Sequence, residues 1–312
     1  MGRERLRRSR LRQLTVAPGL ELAPEQQRQL EQLEQRGVSL TTLEQLDGAL
    51  AHYRGCDVSF HCEDPILLER HKNAATHEAR RPPECEVSAT RFALAMIEKY
   101  GLRGKLCHYS VGEGLPLIQA ARAKGLAISC EVTPHHLYYS TASITDANRG
   151  WMQMNPPLRA DTDRRTMLEA LRDGRLDYLA TDHAPHHHDE KHVEFDRAPF
   201  GITGLETAVS LCLDRLVHPG LITLSRFVEL VTVNPARILR VTGGSLEVGR
   251  PADITILAPD LAVTVRKAAM RSKSKNTPFD GWSLRGGVAA TLVGGRVVYR
   301  NEACQGFGIK TA

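Results

Sequence analysis

The sequence predicts an α/β fold of parallel βαβ units followed by a small β module, and three features of the 312-residue chain carry that reading. From Cys56 onward, short β-rich runs alternate with helical ones: CDVSF (56–60), KLCHY (105–109), AISCEV (127–132) and DYLAT (177–181). Helix start and stop residues separate these runs. Beyond Gly243 the texture changes to LEVGRPADITIL and AATLVGGRVVYR, apolar runs punctuated by Gly-Arg-Pro and Gly-Gly. A content of 42% hydrophobic and 25% charged residues suffices for a sizeable core, so disorder is not the default.

Three segments follow: 1–54 as a basic, helical leader, 55–243 as the α/β part, and 244–312 as the β module. The formal charge of +5 is partly local, because Met1–Leu14 carries Arg3, Arg5, Arg7, Arg8, Arg10 and Arg12 against Glu4. This run lacks aromatics and an apolar h-region, which favours a solvated arm over nucleic-acid binding or a signal peptide. Residues 24–54 read as helix, with Leu30, Leu33, Leu40, Leu43, Leu46 and Leu50 at helical spacings broken near Gly37.

Further along, Asp64 and Pro65 read as N-cap and first helical residue, while Gly101 and Gly125 close helical runs. Asp161 opens and Gly174 ends another helix. A helical stretch runs from Leu205 to about Val241, broken near His218, Pro219 and Gly220. The seven cysteines are odd in number and contain no CxxC pair, as expected of reduced, buried thiols in the cytoplasm. No run approaches the roughly 18 apolar residues a membrane span needs, so no membrane partner is expected.

Chemistry-bearing residues recur at the predicted strand ends: His61, His108, His135 with His136, and Asp182 with His183. In parallel α/β barrels the active site lies at that edge. Neighbouring strands stand about 4.8 Å apart, so ligands from successive ends can converge on ions roughly 3.5–4 Å apart. Imidazole and carboxylate together suit zinc. One such histidine alone is more often a satisfied polar group; four placements at one edge outweigh that reading.

The motifs His61-Cys62-Glu63-Asp64, Thr133-Pro134-His135-His136-Leu137, Met154-Asn155-Pro156-Pro157-Leu158-Arg159 and Ala180-Thr181-Asp182-His183-Ala184-Pro185-His186 resemble those of class I dihydroorotases, in the same order. The resemblance continues through Glu190-Lys191, Phe200 to Glu206, Asn234-Pro235-Ala236 and Ser272 to Phe279, covering about residues 55–300. It implies an amidohydrolase-type (β/α)8 TIM barrel, N-terminally incomplete, with a small C-terminal β module that pairs with N-terminal strands. It implies zinc, one or two ions, with His61 and His108 as ligands of one and Asp182 as both a ligand of the other and the general base. Asn155 and His186 would hold the substrate, and the backbone of Phe200 and Gly201 would bind its ring amide. The implied reaction is the reversible cyclisation of N-carbamoyl-L-aspartate to dihydroorotate, a step of pyrimidine biosynthesis.

Arg159 is a candidate clamp for a substrate carboxylate, with a structural ion pair equally expected. The run His186 to His192 reads as a solvated loop apart from His186. Allantoinases and hydantoinases share the implied fold and are the enzymatic alternative. The family's His-x-His pair and bridging aspartate or carbamylated lysine have no counterpart upstream of His61. Three expectations follow: a truncated dihydroorotase, a chain completed by another polypeptide, or a non-catalytic partner of aspartate carbamoyltransferase. Homo-oligomerisation is also expected from the resemblance.

Overall fold

The computed structural model describes residues 43–146, 148–191 and 198–304. Most of the leader and of the helix expected over 24–54 lies outside this range; its described part is α1 (Leu43–Leu50). The chain divides into two compact units, Met1–Glu131 and Val132–Ala312.

In the first unit, β1 (Asp57–Phe60) alternates between half-buried and buried positions. The helix α2 (Pro65–His71) follows at once, because the Asp64 carboxylate accepts the N–H groups of Ile66 at 2.8 Å and Leu67 at 3.3 Å, while Pro65 needs no partner for a missing donor. Ser88 Oγ donates to the other Asp64 oxygen at 2.6 Å, tying the cap to α3 (Pro83–Tyr100). That helix ends at Gly101 in the left-handed conformation, φ 62°.

β2 (Arg103–Leu106) runs parallel to β1, with Phe60 opposite Leu106. A side chain at Gly104 would collide with Ile97 of α3, so the glycine lets helix and strand approach. After α4 (Leu115–Ala123), β3 (Ile128–Val132) lies parallel to β2, and its last four residues are all buried. Burial of consecutive residues marks a strand covered on both faces.

The second unit carries α5 (Pro134–Tyr138), α6 (Asp161–Arg172) and the short β4 (Tyr178–Leu179), after which Ala180 N–H donates to Val132 O at 3.0 Å. Asp161 is the first residue within α6 rather than its cap. Its carboxylate reaches forward to Arg164 and Arg165, each at 2.6 Å, and complements the helix N-terminus as a charge. The expected helical stretch from Leu205 is α7 (Ala208–Cys212), α8 (Leu224–Val228) and α9 (Asn234–Leu239); α7 and α8 widen into π-helical turns, and the break falls at residues 218–220. An antiparallel sheet in the order β5 (Ile254–Thr264), β6 (Ser283–Val293), β7 (Arg296–Arg300) forms the β module.

One apolar cluster joins distant parts of this unit: Tyr139, Met152, Met154, Leu158, Ile202, Leu211, Phe279 and Leu284. Tyr139 stacks on Phe279 with ring centroids 5.4 Å apart. The segments bearing the Asn-Pro-Pro-Leu-Arg, Phe-Gly-Ile-Thr and Asn-Thr-Pro-Phe motifs are therefore anchored in a shared core.

Candidate active site

Two predicted strands end earlier than their residue types suggested, and the reason lies in the backbone. KLCHY was expected as strand to Tyr109 and DYLAT to Thr181, yet β2 stops at Leu106 and β4 at Leu179. His108 (φ 37°) and Asp182 (φ 46°) instead occupy positive φ; among the described residues, the only other non-glycine to do so is Arg240. Such conformations are uncommon away from glycine and gather where surrounding structure holds a functional side chain in place.

In the first unit, His61 follows β1 directly and His108 follows β2 by two residues, so neighbouring strands bring the two rings together. His61 Nδ1 lies 3.1 Å from His108 Nε2, with ring centroids 4.8 Å apart. On its other side His61 Nε2 faces Glu63 Oε2 at 2.7 Å, and Arg81 forms an ion pair with the same oxygen. Burial alone would push the Glu63 carboxyl up; the hydrogen bond from His61 and the Arg81 guanidinium outweigh it and hold the group below the usual carboxylate range.

The backbone around His108 is held by two further carboxylates. Its own N–H donates to Glu131 Oε1 at 3.1 Å, and Ser110 donates both its N–H, at 2.9 Å, and its hydroxyl to the buried Glu86. Sequence reasoning gave Glu63, Glu86, Glu131 and Arg81 no role. A carboxylate two residues after a strand-end histidine was a usable signal for Glu63; nothing local pointed to Arg81 or Glu86.

In the second unit, the chain from Pro199 to Gly201 is held at each carbonyl. Lys191 Nζ donates to Pro199 O at 2.6 Å, His186 Nε2 meets Phe200 O at 2.7 Å, and Asn276 Nδ2 donates to Gly201 O at 3.1 Å. Gly201 N–H donates to Gln153 O at 2.9 Å. Its φ of 114°, and the collision a side chain would make with Ala184, explain the glycine. Burial pushes the Lys191 ammonium down to about 8 and the His186 imidazole below its ordinary value. Because a carbonyl can only accept, His186 Nε2 is the donor to Phe200 O.

The predicted substrate-binding residues His186, Phe200 and Gly201 are thus together. Asn155, joined to Pro156 by a cis peptide, has a buried Oδ1 with no hydrogen-bond partner among the described residues; Gln153 Oε1 and Thr203 Oγ1 share that state. Buried polar atoms of this kind ordinarily find a partner, which makes them places for a ligand to bond. Asn276, which lies in the motif run Ser272 to Phe279 but was given no role from sequence, also donates to Ala184 O at 2.9 Å, accepts from His186 N at 3.4 Å and through its backbone carbonyl from Thr203 N at 3.0 Å. No hydrogen bond occupies the Asp182 carboxylate among the described residues. The adjacent His183 Nδ1 accepts from Gly204 N at 3.1 Å and turns its ring toward the backbone.

His61 and His108 fit two positions around one metal ion. At the usual Zn–N length of about 2.0–2.1 Å, two imidazole nitrogens roughly 3 Å apart share one ion. Among the described residues, no group of three or more His, Cys, Asp or Glu side chains is gathered to complete such a site.

A parallel α/β arrangement with chemistry-bearing residues at its strand ends is the arrangement of an α/β-barrel active site. Residues 15–298 match the amidohydrolase family, and the chain belongs to it. Among curated proteins it is 40% identical over 257 residues to the dihydroorotase of Brevibacillus brevis, covering 79% of this chain and 60% of that protein. It is 44% identical over 222 residues to the dihydroorotase of Syntrophotalea carbinolica, covering 70% and 51%. The chain thus spans about half to three fifths of the length of these relatives. Among solved structures, the L-hydantoinase (dihydropyrimidinase) of Arthrobacter aurescens matches with a TM-score of 0.77 and 28% identity, over 92% of this chain and 63% of that one. The amidohydrolase fold expected from the sequence is therefore present over the matched portion.

Proposed function

We propose that this chain carries dihydroorotase chemistry, the reversible cyclisation of N-carbamoyl-L-aspartate to dihydroorotate. The observation that carries the reading is the 40% identity to a curated dihydroorotase over 79% of the chain. In this reading His61 and His108 hold a zinc ion, which when bound would polarise the scissile carbonyl and lower the pKa of water.

The rest falls to the chain's own groups. Asp182, whose carboxylate has no competing hydrogen bond among the described residues, takes a proton from the attacking water as general base and passes it to the ring nitrogen that leaves. Asn155 Oδ1 accepts an N–H of the ring, since it is buried and lacks a partner. His186, whose Nε2 donates to Phe200 O, fixes the Phe200–Gly201 backbone against which the ring lies.

The alternative is a hydantoinase-like cyclic amidohydrolase, favoured by the match to L-hydantoinase over 92% of the chain. Side-by-side turnover of dihydroorotate, hydantoin and dihydrouracil separates the two. Dihydroorotate as the preferred substrate supports the proposal; a preference for hydantoin or dihydrouracil replaces it with the alternative. A cytoplasmic location, a homo-oligomer and association with aspartate carbamoyltransferase remain part of the proposal.

A further inference from the structure

We propose that Glu63, clamped by Arg81, is a positioning residue that fixes His61 in the tautomer whose Nδ1 lone pair faces His108, presenting two imidazoles as a preformed pair to a divalent cation such as zinc. The inference rests on the metal-binding part of the proposed function and adds the group that makes His61 a ligand.

A neutral imidazole carries its proton on one nitrogen and a lone pair on the other, and only the lone pair can bind a metal. The partner of the non-ligating nitrogen decides which is which. Glu63 Oε2, 2.7 Å from His61 Nε2, draws the proton to that side. Nδ1 is then left as acceptor, 3.1 Å from His108 Nε2. Without metal the gap holds one proton, donated by His108 Nε2; for a cation to bind both nitrogens the neutral His108 ring changes tautomer, its proton passing to Nδ1.

Three features fix the carboxylate itself. Glu63 N–H donates to His61 O at 3.2 Å, Asp64 caps α2 immediately after it, and Arg81 pairs with Oε2 from across the unit. The side chain of Glu63 is 1% exposed and that of Arg81 18% exposed, so water competes little for either bond. A buried carboxylate whose Oε1 has no hydrogen-bond partner among the described residues is costly to keep as packing alone. Orientation of a ligand gives it a purpose.

The test is the ring ¹⁵N spectrum of histidine-labelled 312-residue chain, with His61 assigned by a His61→Gln comparison. The expected result in wild type is a protonated Nε2 and an unprotonated Nδ1 at His61. Zinc is expected to shift His61 Nδ1 and His108 Nε2 together. In Glu63→Leu the tautomer preference is lost and about 10–100-fold more zinc is needed for the same shift. Because that variant strands the Arg81 charge, Glu63→Leu/Arg81→Leu is measured beside it, and the wild-type tautomer needs no variant at all.

A wild-type His61 protonated on Nδ1 would overturn the inference. So would zinc leaving both rings unmoved, or folded variants matching wild type in tautomer and zinc requirement. Failure of the chain to turn over dihydroorotate bears on the substrate assignment and leaves these signals unchanged, so the two failures are distinguishable.

Discussion

His61 Nδ1 faces His108 Nε2 across 3.1 Å, from the ends of two neighbouring parallel strands. If this pair is a ligand set, its members act as a unit, so His61→Ala and His108→Ala should each weaken zinc binding nearly as much as the double variant. Competition against a chromophoric chelator checks this; additive losses would mean the rings bind independently.

Asn155→Ala should leave thermal stability unchanged or raise it slightly, because its buried Oδ1 loses no hydrogen bond among the described residues. Affinity for dihydroorotate should fall. A drop in stability of more than about 1 kcal/mol would instead assign Asn155 a structural role.

Asn276→Ala should cost about 1–3 kcal/mol for each backbone carbonyl left unpaired, at Ala184 and Gly201. Asn276→Asp should cost more, since it sets a carboxylate oxygen against those carbonyls. Urea denaturation of both variants gives the order, and the reverse order would contradict the assigned amide orientation.

How much of this was legible in the sequence differs from element to element. Asp64-Pro65 announces a helix start locally, and Gly101 its counterpart at a helix end, because capping depends on neighbours in the chain. The strand-end placement of His61, His108 and Asp182 followed from alternating texture. What escaped was long-range: Asn276 meets Ala184 and Gly201 from 92 and 75 residues away, and Arg81 reaches Glu63 across 18. The positive φ at His108 and Asp182 was hidden too: histidine and aspartate adopt it more readily than most residues, yet at only a small share of their positions.

Lys191 supplies a pH dependence. Burial depresses its folded pKa from 10.5 to about 8, so between these values the unfolded chain binds a proton that the folded chain does not. Stability from this group therefore rises with pH across that window, and below about pH 8 the buried ammonium is a liability. Lys191→Met should be relatively more stable at pH 7 than at pH 10, judged by melting against wild type; no change in the difference would contradict the burial argument.

Asp182→Asn should reduce turnover by about 10²–10⁴-fold, the usual worth of a general base, with little change in folding. Undiminished turnover would remove Asp182 from the reaction.

The central claim is most directly tested by supplying the purified chain with zinc and following dihydroorotate, hydantoin and dihydrouracil in parallel. The account predicts zinc-dependent opening of dihydroorotate in preference to the other two rings. Hydrolysis of hydantoin or dihydrouracil with dihydroorotate left intact would contradict it.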